Sequence, residues 1–140
     1  MFNTKFAIIS LISIFAINIY PGISYDFYLY YPFFGMTLHF LGGFFMAMLI
    51  YSFYKNELEK LPKFLKIISI IGMTMAVGVL WEFTEYSCNK LLSGPIYLKY
   101  GIRFNFMGDL EDTVNDLFMD TLGALVFALH FFRRANSQKP

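Results

Sequence analysis

A chain of 140 residues is long enough for one domain, and we predict a single domain over residues 1–140. Its residues are 57% hydrophobic and 21% aromatic but only 15% charged, which is too apolar for an ordinary water-soluble protein. The formal net charge of +1 gives no basic surface for phosphate neutralisation, so nucleic acid is excluded as an expected partner. The single cysteine, Cys88, rules out an intrachain disulfide and a multi-cysteine metal site.

Four apolar stretches follow one another along the chain, at about 2–20, 33–54, 64–86 and 114–132. A helix needs about 20 such residues to cross about 30 Å of hydrocarbon. The pattern therefore predicts an all-α fold, a polytopic integral membrane bundle of four transmembrane helices. The first stretch is the weakest of the four, because Asn3, Asn18 and several serines dilute it, and we interpret it as an uncleaved span.

The basic residues predict the topology, since lysine and arginine favour the cytoplasmic side of short loops. With both termini cytoplasmic, eight basic residues lie inside and three lie outside. Those inside are Lys5, Lys55, Lys60, Lys63, Lys66, Arg133, Arg134 and Lys139; those outside are Lys90, Lys99 and Arg103. We therefore expect a multi-pass protein of the inner (cytoplasmic) membrane, surrounded by membrane lipids.

The second external loop is predicted at about 87–108, with a turn at the "SGP" sequence of residues 93–95. The aromatic-rich segment after it is too polar to span and too apolar to remain in water. We expect it to lie at the interface or to fold back over the external mouth of the bundle.

An acidic face begins the fourth span, in "GDLEDTVNDLFMDTLG" at residues 108–123. Helical spacing places Asp109, Asp112, Asp116 and Asp120 on one side. Asp109, together with Glu111, is explained equally well by helix capping, because negative charge stabilises a helix N-terminus. Asp116 and Asp120 lie too deep in the span for that role.

Polar residues from three spans are predicted to meet at one depth. In the predicted topology, His39 in the second span and Glu82 and Glu85 in the third share the outer third of the membrane with the aspartates of the fourth. Ionisable groups there are costly and must be paired, hydrated or coordinated. Small residues beside them predict close helix packing around one site, namely Gly42, Gly43, Gly78 and Gly123. Trp81 is expected to be a packing or interface anchor.

Carboxylates with one imidazole are a ligand set for Mg²⁺, Mn²⁺, Ca²⁺ or, less typically, Zn²⁺. We predict a divalent metal ion as cofactor, held by His39, Glu82, Asp112, Asp116 and Asp120. Glu82, Glu85 and Asp116 are the predicted catalytic residues, and Lys99 and Arg103 would receive an anionic headgroup. Without a cation some of the carboxyls must hold protons, which would instead suit a proton relay. Lys99 and Arg103 are equally well explained as interfacial snorkelling residues.

At these residues the chain resembles a family of small bacterial inner-membrane proteins typified by YjdF, and more distantly the VanZ-like membrane proteins. The matching pieces are "HFLGG" at His39, "WEFTEY" with Glu82 and Glu85, and the 108–123 segment with Asp109, Asp112, Thr113 and Asp116. The VanZ-like pattern has an acidic residue one turn before the histidine, where this chain has Gly35. The VanZ-like resemblance implies a cell-envelope or lipid-linked substrate by analogy.

The leading hypothesis is divalent-cation-dependent hydrolysis or transfer on a lipid or lipid-linked envelope substrate. One alternative is a proton- or cation-coupled membrane transporter, and a homo-oligomer is possible because four short spans enclose little volume. Another is a non-catalytic membrane partner with a structural ion site. Whether the protein is an enzyme stays open at this stage. A lateral cleft at the outer leaflet would favour an enzyme, and a polar path towards the cytoplasm would favour a transporter.

Overall fold

The computed structural model describes residues 3–23, 30–31, 33–101 and 107–137. Within these ranges the chain forms helices and no strand, so the predicted all-α class is confirmed. The first helix, α1, spans Thr4–Ile17 and continues into a π-helical segment, Asn18–Ile23. The side chain of Asn3 caps α1 by accepting a hydrogen bond of 3.0 Å from the Lys5 amide.

The second helix, α2, spans Phe34–Leu58 and is followed by a short connection to α3. The predicted end at residue 54 coincides with a kink, because Tyr54 has non-helical φ and ψ of −102° and 17°, and the helix then runs one further turn. Pro62 precedes the first residue of α3, where its fixed φ suits a helix start and its missing N–H removes no helical hydrogen bond.

The third helix, α3, spans Lys63–Tyr100 and has 38 residues, which correspond to about 57 Å of helix, well beyond the thickness of a bilayer core. The predicted turn at residues 93–95 is wrong, since the helix passes through Pro95. Proline in a helix interior removes one hydrogen bond and crowds the preceding turn, yet the helix continues past Pro95 to Tyr100. The helix ends instead at Gly101, whose φ of 69° is the left-handed conformation that glycine adopts most readily.

The fourth helix, α4, spans Leu110–Ser137. The centre of the bundle is α2, which packs most extensively against α4 and also contacts α1 and α3. The α2–α4 contact is close because small residues line it: a Cβ on Gly43 would overlap the backbone of Asp120, and one on Gly123 would overlap the Phe40 carbonyl. The predicted close packing around these glycines is confirmed.

Below the glycines, towards the connection between α2 and α3, lies an apolar core. Phe127 of α4 is 1% exposed and packs edge-on against Phe44, with ring centroids 5.6 Å apart. Ala47 and Ala124 are fully buried in the same cluster. Large apolar side chains elsewhere face outwards, as expected for a chain whose solvent is lipid.

In the part of the chain that the structure describes, three helices are long and apolar enough to cross a membrane, namely Phe34–Leu58, Lys63–Tyr100 and the Leu110–Phe131 part of α4. The apolar stretch Thr4–Tyr20 is shorter, in agreement with the prediction that the first span is the weakest.

Candidate metal site

His39 is the centre of a buried polar group formed by α2, α3 and α4. Its Nδ1 lies 3.4 Å from Asp120 Oδ2. Its Nε2 lies 3.5 Å from Asp116 Oδ2 and 3.9 Å from Glu82 Oε1. All four side chains are at least nine-tenths buried, and we call them the acidic cluster. Three carboxylates therefore surround a single imidazole, and they approach it from both sides of the ring.

Two glycines on different helices make room for Asp120. A Cβ on Gly78 of α3 would collide with Asp120 Oδ2, and Gly43 of α2 lies against the Asp120 backbone. The Asp120 carboxylate therefore occupies space that a side chain at Gly78 would otherwise fill. This fixed position sets the Asp120 carboxylate opposite Nδ1 of His39, one helical turn below the level of Asp116.

The other side of the imidazole has the geometry of a cation site. His39, Glu82 and Asp116 each offer one ligand atom, and these three atoms lie within 4.8 Å of one another. Two oxygens on opposite sides of the ion are about 4.0 to 4.2 Å apart for Mg²⁺ and about 4.6 to 5.2 Å apart for Ca²⁺, twice the usual metal–oxygen distance. The separations found here therefore suit a small or medium divalent ion without large movement.

Unpartnered atoms surround the same position. Within the described ranges, Glu82 Oε1, Asp116 Oδ1 and the Thr113 hydroxyl are buried and make no hydrogen bond of good geometry, although the Thr113 side chain lies close to the Glu82 carboxyl. Each of the three carboxylates of the acidic cluster lies within ion-pair distance of His39. Buried carboxylate oxygens without a partner are costly, and one imidazole cannot balance three carboxylates, so the remaining carboxyls must hold protons or a cation.

Two of the predicted site residues lie at the edge of the acidic cluster. Glu85, half-buried, is close enough to interact electrostatically with Glu82, His39 and Asp116. Asp112 is exposed and lies against Gly108, outside the group of three ligand atoms, although the sequence predicted it as a ligand.

Of the two predicted substrate-binding residues, Lys99 is not brought to the cluster. Lys99 is exposed in the last turn of α3, with its ammonium 5.1 Å from the centroid of the Tyr100 ring. Along the helix it is about 25 Å from Glu82, too far for one headgroup to contact both. Arg103 lies outside the described residues. A role for either residue stays a prediction.

Asp109 has the capping geometry that the sequence allowed for it. Its Oδ1 accepts a hydrogen bond of 3.0 Å from the Asp112 amide, and its carbonyl accepts from the Thr113 amide at 3.1 Å. It is therefore the N-cap of α4, two turns away from Asp116 on the same side of the helix.

A crevice adjoins the acidic cluster between α1 and α3, and the sequence did not predict it. Among the described residues, the Cα atoms of α1 and α3 do not come within 8 Å of each other, although both helices pack on α2. The space between them is about 230 Å³ and is lined mostly by apolar side chains. Trp81 lines it and contacts Phe15 edge-on at 5.9 Å between centroids. At its polar edge it reaches His39 and Asp120.

A second polar group lies where α2 ends and α3 begins, and sequence analysis treated its lysine only as a topology signal. The Tyr51 hydroxyl donates to Glu59 Oε1 at 2.6 Å, and the Lys66 ammonium donates to Glu59 Oε2 at 2.7 Å. We call these three residues the junction triad. The Lys66 hydrogen bond and then the Tyr51 hydrogen bond lower the pKa of Glu59 below its ordinary value. The spacing of Glu59 and Lys66 across a proline-containing connection is the one sequence signal that could have indicated it.

Fold and site together define the class: an all-helical membrane protein with its buried carboxylates gathered around one histidine. The family model described as "Predicted membrane protein (DUF2238)" matches residues 2–137, so the chain belongs to this family. YjdF-like proteins are this family, and the nearer of the two resemblances drawn from the sequence is confirmed. Comparison with curated proteins and with solved structures gives no match.

Proposed function

We propose that this membrane protein binds a divalent cation in the acidic cluster and catalyses hydrolysis or transfer on a lipid or lipid-linked substrate of the cell envelope. The observation that carries the proposal is the pair of buried, unpartnered oxygens on Glu82 and Asp116 beside His39 Nε2. The donor set suits Mg²⁺, Mn²⁺, Ca²⁺ or, less typically, Zn²⁺. Such an ion supplies Lewis-acid activation of a phosphoryl or ester oxygen.

The residues of the acidic cluster have different roles in this proposal. Glu82, Asp116 and Nε2 of His39 hold the ion. Asp120 accepts the Nδ1 proton of His39, which fixes the tautomer that leaves Nε2 free to bind a metal. This is a change from the sequence-based prediction that Asp120 is itself a ligand. Glu85, at the edge of the cluster and half-buried, exchanges protons with the substrate.

Two features favour catalysis over transport. The crevice reaches the cluster from the side, between α1 and α3, as a substrate arriving through the lipid requires. On the opposite side of the cluster, the bundle is closed by the apolar core, where Tyr51 is 3% and Phe127 1% exposed. A coupled transporter would need a polar path through this part of the bundle.

The orientation with cytoplasmic termini and the inner membrane as location are part of the proposal, as is the distant VanZ-like relation that suggests an envelope substrate. Cys88 is the only cysteine, so it provides a direct test of orientation. In intact cells, a membrane-impermeant maleimide should label Cys88 from outside. Lys60→Cys in a Cys88→Ser background should be labelled only after permeabilisation. The reverse pattern would place the cluster near the cytoplasmic face.

Metal binding is the first test of function. The purified protein is stripped with chelator, and binding of each of the four ions is measured by titration calorimetry and elemental analysis. His39→Ala, Glu82→Gln and Asp116→Asn should each lose more than the roughly 10- to 100-fold in affinity that outer partners contribute, and a double change should add little. Glu57 forms an exposed ion pair with Lys60, so Glu57→Gln is the matched control and should bind metal as the natural chain does. Independent, additive losses would show that no common site exists.

The reaction is tested separately. Lipid extracts of cells producing the natural chain or Asp116→Asn are compared by mass spectrometry without choosing a substrate beforehand. We expect one lipid class to be depleted and its cleaved or transferred product to accumulate with the natural chain alone. Metal binding with unchanged lipids would instead support a structural ion.

A further inference from the structure

The crevice between α1 and α3 has a feature that metal binding alone does not explain, an apolar volume that ends at the acidic cluster. Its wall includes Leu11 and Ile14 of α1 and Val77 of α3. Its polar edge is formed by His39 and Asp120, the side of the cluster opposite to Glu82 and Asp116. An occupant must therefore be apolar along most of its length and polar at one end.

The size of the crevice limits the occupant further. An apolar cavity of about 150 Å³ holds one benzene ring and stays free of water, whereas sites for drug-sized ligands start at about 300 Å³. At about 230 Å³ the crevice lies between these limits. It therefore suits one stretch of a single chain and is too small for two chains side by side or a fused ring system.

The local structure of α1 keeps this space open. The described backbones of α1 and α3 stay more than 8 Å apart between Cα atoms, and the Phe15–Trp81 ring contact bridges the gap. At Asn18, which lines the crevice, the α-helix changes to a π-helical segment. Single π-helical turns interrupt regular packing and occur often at functional sites.

We propose that this crevice binds one hydrocarbon chain of the substrate, with the oxygen-bearing end of the chain at His39 and Asp120. The inference rests on the proposed function, because it names the part of the substrate that the site recognises. The chain enters sideways from the bilayer between α1 and α3, and its polar end then lies at the Nδ1 side of His39, with the imidazole ring between it and the proposed ion. An acyl chain and an isoprenoid chain share this chemistry, and competition distinguishes them.

The test uses a 16-carbon fatty acid with a photoreactive diazirine in its chain, added to the purified full chain in detergent. After irradiation, the labelled residues are mapped by peptide mass spectrometry. We expect saturable labelling within residues 38–46 and 74–81, abolished by excess unlabelled palmitate or, for an isoprenoid site, by a polyprenyl alcohol. Phe118, which is 62% exposed on α4, reports ordinary surrounding lipid and should be labelled without saturation.

Two tryptophan substitutions on α1 form a matched pair. Leu11→Trp fills the crevice and should lower the saturable labelling about tenfold, because overpacking excludes the chain. Ile12→Trp places the same ring on the outer face, where Ile12 is 62% exposed, and should leave labelling unchanged. If Leu11→Trp does not fold, Val77→Phe fills the crevice from α3 instead and should likewise lower the saturable labelling. Labelling that is unsaturable, or equal in the natural chain and the filled variants, would overturn the proposal.

Metal titration of the same samples separates this proposal from the proposed function. Leu11→Trp should keep its metal affinity while losing the chain, and Asp116→Asn should lose metal while keeping the saturable label. Saturable labelling in a protein that binds no metal would support the crevice and refute the proposed metal-dependent function. Metal binding with unsaturable labelling would refute the crevice alone.

Discussion

The acidic cluster and the junction triad are both polar groups between helices, and they differ in burial and in how their charges are balanced. The cluster side chains are at least nine-tenths buried, whereas the side chain of Glu59 in the triad is 45% exposed. In the junction triad, one carboxylate receives hydrogen bonds from one ammonium and one hydroxyl, at 2.7 and 2.6 Å. In the acidic cluster, three carboxylates share one imidazole, and two carboxylate oxygens have no hydrogen-bond partner in the described part of the chain. In the triad the single carboxylate is balanced by its neighbours, whereas in the cluster three carboxyl groups exceed the one imidazole.

This difference indicates which polar groups between helices stabilise the fold. A carboxylate that only stabilises a helix junction is expected to be matched in charge by its neighbours, as Glu59 is. Excess buried charge lowers stability and persists where function requires it. The predictions below test that distinction, starting with the largest expected effect.

Gly43→Ala should have the largest effect, because it should disrupt the acidic cluster and leave the junction triad formed. A Cβ there would overlap the backbone of Asp120, which cannot move aside as a flexible side chain can. We expect the free energy of unfolding to fall by about 3 kcal/mol or more, because α2 and α4 must move apart. Metal affinity should be lost as well. Gly72→Ala is the matched control, since nothing lies within 4 Å of its new Cβ, and it should be neutral or gain up to about 1 kcal/mol.

Thermal unfolding in detergent, followed by the fluorescence of the single tryptophan, measures both glycine variants. The junction triad lies at the other end of the α2–α4 contact and should form in both. A Gly43→Ala protein as stable as the natural chain would mean that α2 and α4 are not in such close contact.

Neutralising carboxylates should have opposite effects in the two groups when metal is removed by chelator. Glu59→Gln should lower the free energy of unfolding by about 1 to 3 kcal/mol, since it leaves the buried Lys66 ammonium without its charged partner. The double variant Glu82→Gln/Asp116→Asn should raise it by about 1 kcal/mol or more, because it removes two buried carboxyls that the single imidazole cannot balance.

Added metal should then stabilise the natural chain and Glu59→Gln but not the double variant, by about 2.7 kcal/mol at a hundredfold excess over Kd. If the double variant is destabilised in chelator, its carboxylates make structural hydrogen bonds and the functional interpretation of the acidic cluster fails.

Most of the acidic cluster could be predicted from the sequence, and little of the junction triad could. Helical spacing and one assumed topology were enough to group His39, Glu82 and Asp116, because apolar helices leave few places for ionisable residues. The side of the imidazole that Asp120 faces depends on where Gly43 and Gly78 let the helices approach, and no local pattern encodes that. The crevice depends on α1 packing mainly against α2, and no local pattern predicts that α3 continues through Pro95.

Acid should weaken the junction triad through Glu59. Its pKa is lowered in the folded state by the Lys66 and Tyr51 hydrogen bonds, so its contribution to stability is present above its ordinary pKa of 4.5 and is lost as pH falls through the folded value. The stability difference between the natural chain and Glu59→Gln should therefore be constant near neutral pH and shrink below about pH 4.5. The side chain of Glu59 is 45% exposed, which keeps the effect modest. Unfolding temperatures of the two proteins measured in parallel give the difference, and one that grew on acidification would contradict this assignment.

The smallest effect is expected at Asp109, which shares a helix face with Asp116 but serves as a cap. Asparagine caps a helix about as well as aspartate, so Asp109→Asn should cost only the few tenths of a kcal/mol that negative charge contributes at an exposed helix start. Asp109→Ala also loses the 3.0 Å hydrogen bond to the Asp112 amide and should cost about 1 kcal/mol. Both should bind metal like the natural chain, because Asp109 lies two turns from Asp116 and outside the three-ligand group. Equal destabilisation in the two variants would show that charge, and not the cap, is what α4 needs there. A fall in metal affinity in Asp109→Asn would extend the functional carboxylates to the helix terminus and remove the boundary that separates structural from functional aspartates on this face.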